Sequence, residues 1–110
     1  MTTWTPVCEL AALDPERGVA ALVDGVQVAL FLLDDGRVLG VGNHDPFSGA
    51  NVVSRGIVGS HGDVTTVTSP MHKQVWDLAT GECLDPAGKE PADLPVFPVE
   101  VRDGVVHVGR

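Results

Sequence analysis

The chain has 110 residues, of which 44% are hydrophobic and 20% are charged, and its formal net charge at pH 7 is −8. This length fits a single domain, residues 1–110, and the acidic balance argues against nucleic acid, because binding a phosphate backbone depends on Lys and Arg displacing counterions. No apolar run reaches the roughly 20 residues of a membrane-spanning helix, so a membrane is not an expected partner.

The first residues and the two cysteines point to a reducing compartment. The start, Met-Thr-Thr-Trp-Thr-Pro, lacks the basic region and the long apolar region of a secretory signal. Cys8 and Cys83 are too few for a disulfide framework, and each is typical of a small buried hydrophobic residue. We expect a cytoplasmic protein.

One short helix is predicted near the start, over Glu9–Leu13. The next segment, Glu16–Val23, is ambiguous, because Ala20 and Ala21 would allow a helix. Gly18 and the Asp-Gly pair that follows the segment weigh against it. We therefore favour a strand.

Three Asp-Gly pairs predict three β-hairpins. Each pair lies between apolar or alternating segments, and Asp-Gly supplies the positive φ angles that tight hairpin turns need. The pairs are Asp24-Gly25, Asp35-Gly36 and Asp103-Gly104. The first two join residues 19–23, 26–33 and 37–41 into a three-stranded meander, and the third joins residues 99–102 to 105–108.

Two further strands are predicted over Val64–Thr68 and Lys73–Leu78, separated by the turn-forming pair Ser69-Pro70. The five prolines and glycines within residues 85–98 indicate an extended connector, since each proline fixes φ and removes a backbone donor. The pattern as a whole favours a mostly β protein with antiparallel strands.

The stretch Ser69-Pro70-Met71-His72-Lys73-Gln74-Val75-Trp76-Asp77-Leu78-Ala79-Thr80-Gly81 resembles the second ligand loop of a Rieske domain and the strand after it, C-P-x-H-G-x-x-F-D-x-x-T-G. Upstream, Gly42-Asn43-His44 stands where such domains have the first ligand pair, C-x-H. The resemblance implies a Rieske-like antiparallel β-sandwich or barrel, with a smaller subdomain at about residues 42–81 around the former cluster loops.

The resemblance also implies that the iron–sulfur cluster is lost. A Rieske centre uses two thiolates on one iron and two imidazoles on the other. His44 and His72 match the two histidine ligands, whereas Gly42 and Ser69 occupy the cysteine positions. Glycine has no side chain, and a serine hydroxyl is a poor substitute for a soft thiolate. We therefore expect no cofactor and no metal on this chain.

One Rieske-like family shares this loss, the small subunits of assimilatory NAD(P)H-dependent nitrite reductase. The runs Asn43–Ala50 and Val53–Gly59, together with Ser69-Pro70 and Lys73-Gln74, are similar to that family's signature. The resemblance covers nearly the whole chain.

Membership would imply a non-redox subunit with no catalytic residue of its own. It would dock on a large subunit that has FAD, siroheme, an iron–sulfur cluster and NAD(P)H and that reduces nitrite to ammonia. The rival hypothesis is a free-standing cluster-less Rieske-like module of another oxidoreductase system. A third is a small independent enzyme that uses His44 and His72.

Four residues are candidates for contact with a partner, Phe47, Arg55, Lys73 and Gln74. Phe47 has two possible roles, an aromatic anchor at an interface or a side chain packed into the core. We slightly favour the core. A mononuclear metal site of His44 and His72 with His61 or His107 is the weaker interpretation, because the spacing does not indicate one. We expect His61 to be exposed and His107 to lie at an edge or on the surface.

Overall fold

The structure is a computed structural model that describes residues 2–110, with eleven strands and two short 3₁₀ turns, Leu10–Ala12 and Val53–Arg55. The strands, numbered in chain order, are β1 Trp4–Glu9, β2 Val19–Val23, β3 Val26–Leu32, β4 Val38–Gly42, β5 Ile57–His61, β6 Val64–Thr68, β7 Val75–Asp77, β8 Cys83–Asp85, β9 Val96–Phe97, β10 Val99–Arg102 and β11 Val105–Gly109. No helix in the described residues could cross a membrane.

The strands form three sheets in which every strand pair is antiparallel. Their orders are β1-β11-β10, β2-β3-β4-β9 and β5-β6-β7-β8. The prediction of a mostly β, antiparallel fold is confirmed.

Strand β3 divides the core in two. Because side chains of a strand alternate between its faces, Ala29 and Phe31 point into one cluster while Val28 and Leu30 point into the other. The first cluster includes Val67 and Trp76 from the β5-β8 sheet, and the second includes Val106 and Val108 from β11. The sheet that contains β3 is therefore the middle layer, which explains the nearly continuous apolar sequence of this strand.

The three predicted hairpins are confirmed. Asp24 and Gly25 have φ angles of 49° and 80°, and Asp103 and Gly104 have 51° and 76°, as two-residue turns of type I′ require. Gly36 has a φ of 91° and ends a longer turn, in which its N–H donates to the Leu33 carbonyl at 3.0 Å. A fourth tight hairpin, β5 to β6, was not predicted, because its turn has the reverse order, Gly62-Asp63.

Several boundaries differ from the predictions. The ambiguous segment forms strand β2, and the predicted helix is the single 3₁₀ turn Leu10–Ala12. The strand expected over Lys73–Leu78 is only Val75–Asp77, because Lys73 has a φ of 63° and ends a loop. Two short strands were missed, β8 and, inside the predicted connector, β9.

The expected edge position of His107 is wrong. Strand β11 is the central strand of its sheet, paired with β1 on one side and β10 on the other. The imidazole is half-buried, and its Nδ1 lies 3.0 Å from the Val105 carbonyl oxygen. The sequence pattern identifies the strand, but its neighbours are set by the chain as a whole.

Candidate functional site

Two loops meet at one end of the molecule. The first loop is residues 42–56, from the last residue of β4 to the start of β5, and the second loop is residues 69–74, between β6 and β7. The Ser69 hydroxyl donates a hydrogen bond to Asp45 Oδ2 at 2.7 Å, and both residues are buried. This bond joins loops that are 24 residues apart in the chain.

The Asp45 carboxylate organises the first loop as well. Its Oδ1 accepts hydrogen bonds from the Phe47 N–H at 2.8 Å and from the Ser48 N–H at 3.3 Å. The backbone of Asp45 also donates to the Ala50 carbonyl and accepts from the Gly49 N–H, both at 2.8 Å. A carboxylate with no solvent exposure needs such donors, because burial removes its hydration.

Asn43 anchors the first loop to the middle sheet. Its side-chain amide donates to Gln27 Oε1 at 2.9 Å and to the Asn51 carbonyl at 3.3 Å, and its Oδ1 accepts from the Ser54 N–H at 2.7 Å. Asn43 is buried, with 1% exposure. The residue therefore ties strand β3 to both ends of the loop.

Asn43 and Asp45 were not singled out from the sequence. Both have residue types that often bond to nearby backbone, but such residues are common in loops. The partners across the fold, Gln27 and Ser69, decide their importance. No signal in a single sequence identifies those partners.

The four former ligand positions differ in exposure. Gly42 is buried at the end of β4, and its N–H donates to the Pro95 carbonyl at 2.9 Å. Ser69 is buried, as described above, whereas His44 and His72 are exposed. His44 Nδ1 lies 3.4 Å from Asn51 Oδ1. The two cysteine positions therefore face the interior and the two imidazoles face solvent.

The four predicted partner contacts fall into two groups. Arg55 and Lys73 are exposed, while Phe47 is half-buried and packs on the core, with its ring centroid 6.0 Å from that of Trp76. The favoured interpretation of Phe47 as a core residue agrees with this packing. Gln74 requires a correction, because its side chain has no solvent exposure and cannot contact a partner in this conformation.

Gln74 and Lys73 are unusual in different ways. The amide of Gln74 makes no hydrogen bond within residues 2–110, although both of its polar atoms are buried. Lys73 occupies the glycine position of the C-P-x-H-G pattern and keeps the positive φ of 63° that glycine adopts easily. The second loop therefore retains a glycine-type backbone without the glycine.

A groove with a volume of about 500 Å³ lies beside His44. Its lining combines apolar and polar side chains and includes Leu22, Gln27, His44, Pro46, Asp93 and Pro95. Leu22 is 68% exposed, which is unusual for a leucine in a strand. The groove extends the exposed surface of the first loop onto the edge strand β2.

The other histidines and the cysteines lie outside the two loops. His61 is exposed at the end of β5, as predicted, and His107 is in the sheet of β1, β11 and β10. Within residues 2–110 no three His, Cys, Asp or Glu side chains are arranged to hold a metal ion. Cys8 packs beside the second core cluster, where burial raises the pKa of its thiol. Cys83 packs beside the first cluster.

Comparisons with known proteins agree on one family. The family model of the Rieske-like [2Fe-2S] domain matches residues 3–109 of the sequence. The nitrite reductase (NADH) small subunit of Escherichia coli K12 is 34% identical over 109 residues, which cover 98% of each chain. The solution structure of the E. coli protein NirD has a TM-score of 0.88 and 32% identity, and the match covers 100% of this chain and 98% of that one.

One relative has a different chain organisation. The nitrite reductase [NAD(P)H] large subunit of Klebsiella oxytoca is 39% identical over 107 residues, which cover 97% of this chain but 11% of that protein. In that protein a segment similar to this whole chain is part of a much longer polypeptide.

Proposed function

The chain belongs to the Rieske-like [2Fe-2S] domain family and, within it, to the small subunits of nitrite reductase, and from this we propose that it is the small subunit of an NAD(P)H-dependent nitrite reductase. The enzyme would reduce nitrite to ammonia in nitrate assimilation. This chain would dock on the large subunit and support it, without catalytic residues or electron transfer of its own.

The Klebsiella oxytoca relative is the observation on which the proposal depends most. There, a segment similar to this chain is covalently joined to a large subunit. Joining two modules in one chain raises their effective concentration relative to each other, which favours their contact. A separate chain of the same type would have to make that contact through its surface.

The proposal places FAD, siroheme, an iron–sulfur cluster and NAD(P)H on the large subunit and no cofactor on this chain. Two imidazoles without two thiolates do not match the donor set of a Rieske centre. The former cluster-binding subdomain, about residues 42–81, would then serve as a docking element. A cytoplasmic location fits the free Cys8 and Cys83 thiols.

We assign the docking surface to the outer parts of the two loops, called here the tip surface: the exposed residues His44, Pro46, Arg55, Met71, His72 and Lys73, and the half-buried Phe47. The exposed ionisable side chains of residues 42–56 and 69–74 are two cations and two histidines, and the one carboxylate there, Asp45, is buried. The remainder of the chain contains fourteen of the fifteen acidic residues and five of the seven Lys and Arg residues.

This charge distribution favours an acidic partner surface. A patch on the large subunit with exposed carboxylates would attract the tip surface and repel the rest of the chain, which steers association and fixes orientation. Met71, which is 51% exposed, adds an apolar side chain to the tip surface. Interfaces commonly combine apolar side chains with polar ones.

Co-purification with the large subunit tests the proposed function. The large subunit should retain the chain and lose NAD(P)H-nitrite activity or stability when the chain is deleted. Full activity and stability of the large subunit without the chain would contradict a supporting role. Failure of the two proteins to associate would favour the rival, a free-standing module of another system.

Charge reversal tests the docking surface. Lys73→Glu should raise the Kd for the large subunit by about tenfold at low salt, because it places a carboxylate in the tip surface. Lys89→Glu is the matched control, since Lys89 is exposed in the connector and outside the tip surface. Equal weakening by both variants would refute the assignment.

A further inference from the structure

Gly42 occupies the first cysteine position, and the space next to it is filled by Pro95. A Cβ atom added at Gly42 would lie 2.7 Å from Pro95 Cγ and 3.0 Å from Pro95 Cδ. Carbon atoms that are not bonded to each other prefer separations of about 3.5–4.0 Å, so either contact is repulsive. Any side chain at position 42 therefore requires Pro95 to move.

Pro95 is held in place on both sides. Its carbonyl accepts a hydrogen bond from the Gly42 N–H at 2.9 Å, and the N–H of the buried Leu94 donates to the Gly81 carbonyl at 2.8 Å. The next residue, Val96, pairs with Val41 in the middle sheet. The proline ring is thus part of an ordered segment and not the end of a flexible side chain.

The second cysteine position has a different replacement. Ser69 is 2% exposed, its hydroxyl donates to Asp45, and its Oγ accepts from the Met71 N–H at 3.2 Å. A thiolate at position 69 would lie beside the buried Asp45 carboxylate, and two neighbouring negative charges disfavour ionisation of both groups. The environment of Ser69 therefore suits a neutral hydroxyl donor and opposes a thiolate.

We propose that protein contacts fill both cysteine positions of the ligand pattern, Pro95 against Gly42 and Ser69 to Asp45, so that introducing a cysteine at both positions does not create a cluster site. The Ser69–Asp45 hydrogen bond joins the first and second loops, which is the connection that a bound cluster would otherwise make. Pro95 and Asp45, which lie outside the ligand pattern, thus oppose a cluster whether or not the tip surface docks on a large subunit.

Reconstitution of the full chain tests the inference directly. The Gly42→Cys, Ser69→Cys variant is incubated anaerobically with ferrous iron and sulfide, and iron and acid-labile sulfide are measured per chain, with the visible and electron paramagnetic resonance spectra. We expect a folded variant that binds far less than two irons per chain. Two irons and two sulfides per chain, with the spectrum of a histidine-ligated cluster, would overturn the proposal.

A double-mutant cycle covers the case in which the two-cysteine variant does not fold. Gly42→Ala should lower the midpoint of urea unfolding in the native chain. In a Pro95→Ala background, which removes both ring atoms that the new Cβ would meet, the shift should fall to about half or less. Gly59→Ala is the control, because its Cβ would meet only Thr66 Oγ1 at 3.6 Å.

The two backgrounds show whether Pro95 is what excludes a side chain at position 42. A smaller shift in the Pro95→Ala chain supports the contact, and equal shifts in both backgrounds refute it.

For the second cysteine position, position 69, Asp45→Ala should abolish most of the destabilisation caused by Ser69→Ala. Independent, additive effects of these two substitutions would contradict the proposed replacement.

Discussion

The hairpin turns and the two loops of the tip surface are stabilised in different ways. The turns at Asp24-Gly25 and Asp103-Gly104 depend on the positive φ angles of adjacent residues, which two neighbouring amino acids determine. The loops depend on buried side chains whose partners are 16 and 24 residues away, Asn43 with Gln27 and Asp45 with Ser69. Damage to a turn should therefore stay local, whereas damage to a loop contact should affect the whole fold.

The largest expected effect is that of Asp45→Ala. It removes a buried carboxylate that accepts from Ser69, Phe47 and Ser48 and leaves their donors without partners. We expect a loss of about 4 kcal/mol in the free energy of unfolding, measured in urea. Asp63→Ala, in the exposed turn between β5 and β6, should change it by less than about 0.5 kcal/mol. Similar losses in both variants would remove the distinction between loops and turns.

Ser69→Ala should have the next largest effect, a loss of about 2 kcal/mol in the free energy of unfolding, because hydrogen bonds to charged groups contribute more than those between neutral groups. The urea midpoint measures it. Ser60→Ala provides the control, since Ser60 is exposed in β5. A loss no greater than that of the control would mean that the cross-loop hydrogen bond contributes little.

Among the turns, Gly104→Ala should lower the free energy of unfolding by about 1 kcal/mol, because an alanine is strained at a φ of 76°. No heavy atom lies within 4 Å of a Cβ added there, so the effect isolates the backbone conformation. Thermal unfolding measures the loss, and amide exchange should rise only near β10 and β11. Increased exchange in the first loop would contradict a local effect.

Lys73→Gly should stabilise the chain by up to about 1 kcal/mol, since glycine adopts the observed φ of 63° without strain. The same variant should weaken binding of the large subunit, because it removes a cation from the tip surface. Lys89→Gly, outside the tip surface, should not stabilise the chain. Stability and binding that change in the same direction would argue against a role of Lys73 in docking.

The smallest effect concerns the turn at Asp35. The Arg37 backbone N–H and guanidinium bond to this exposed carboxylate at 3.0 Å and 2.7 Å and lower its pKa below the usual 3.8. A carboxylate with a lowered pKa stabilises the folded chain above its unfolded pKa and loses that contribution as the pH falls through its folded value.

Asp35→Asn should therefore reduce stability slightly at pH 7, and the difference from the native chain should shrink as the pH falls through the lowered pKa of Asp35. Urea midpoints over a series of decreasing pH values measure it. A difference that persists at low pH would mean that Arg37 does not act through the charge of Asp35.

The sequence alone was sufficient for the features that depend on neighbouring residues. Asp-Gly pairs located the three hairpins, apolar or alternating segments beside them located β2, β3, β4 and β11, and the S-P-x-H motif identified the family and the missing thiolates. These features are predictable because turn conformation, strand period and ligand chemistry are properties of single residues or short runs.

Only the tertiary structure decided what surrounds the two cysteine positions of the ligand pattern. The burial of Gln74, the proline against Gly42, and the bond from Ser69 to Asp45 all depend on which segments pack together. The central place of β11 in its sheet has the same origin, since its partners come from both ends of the chain. Buried polar contacts over such separations leave no periodic signal in one sequence, because each partner is fixed by the fold and not by its neighbours.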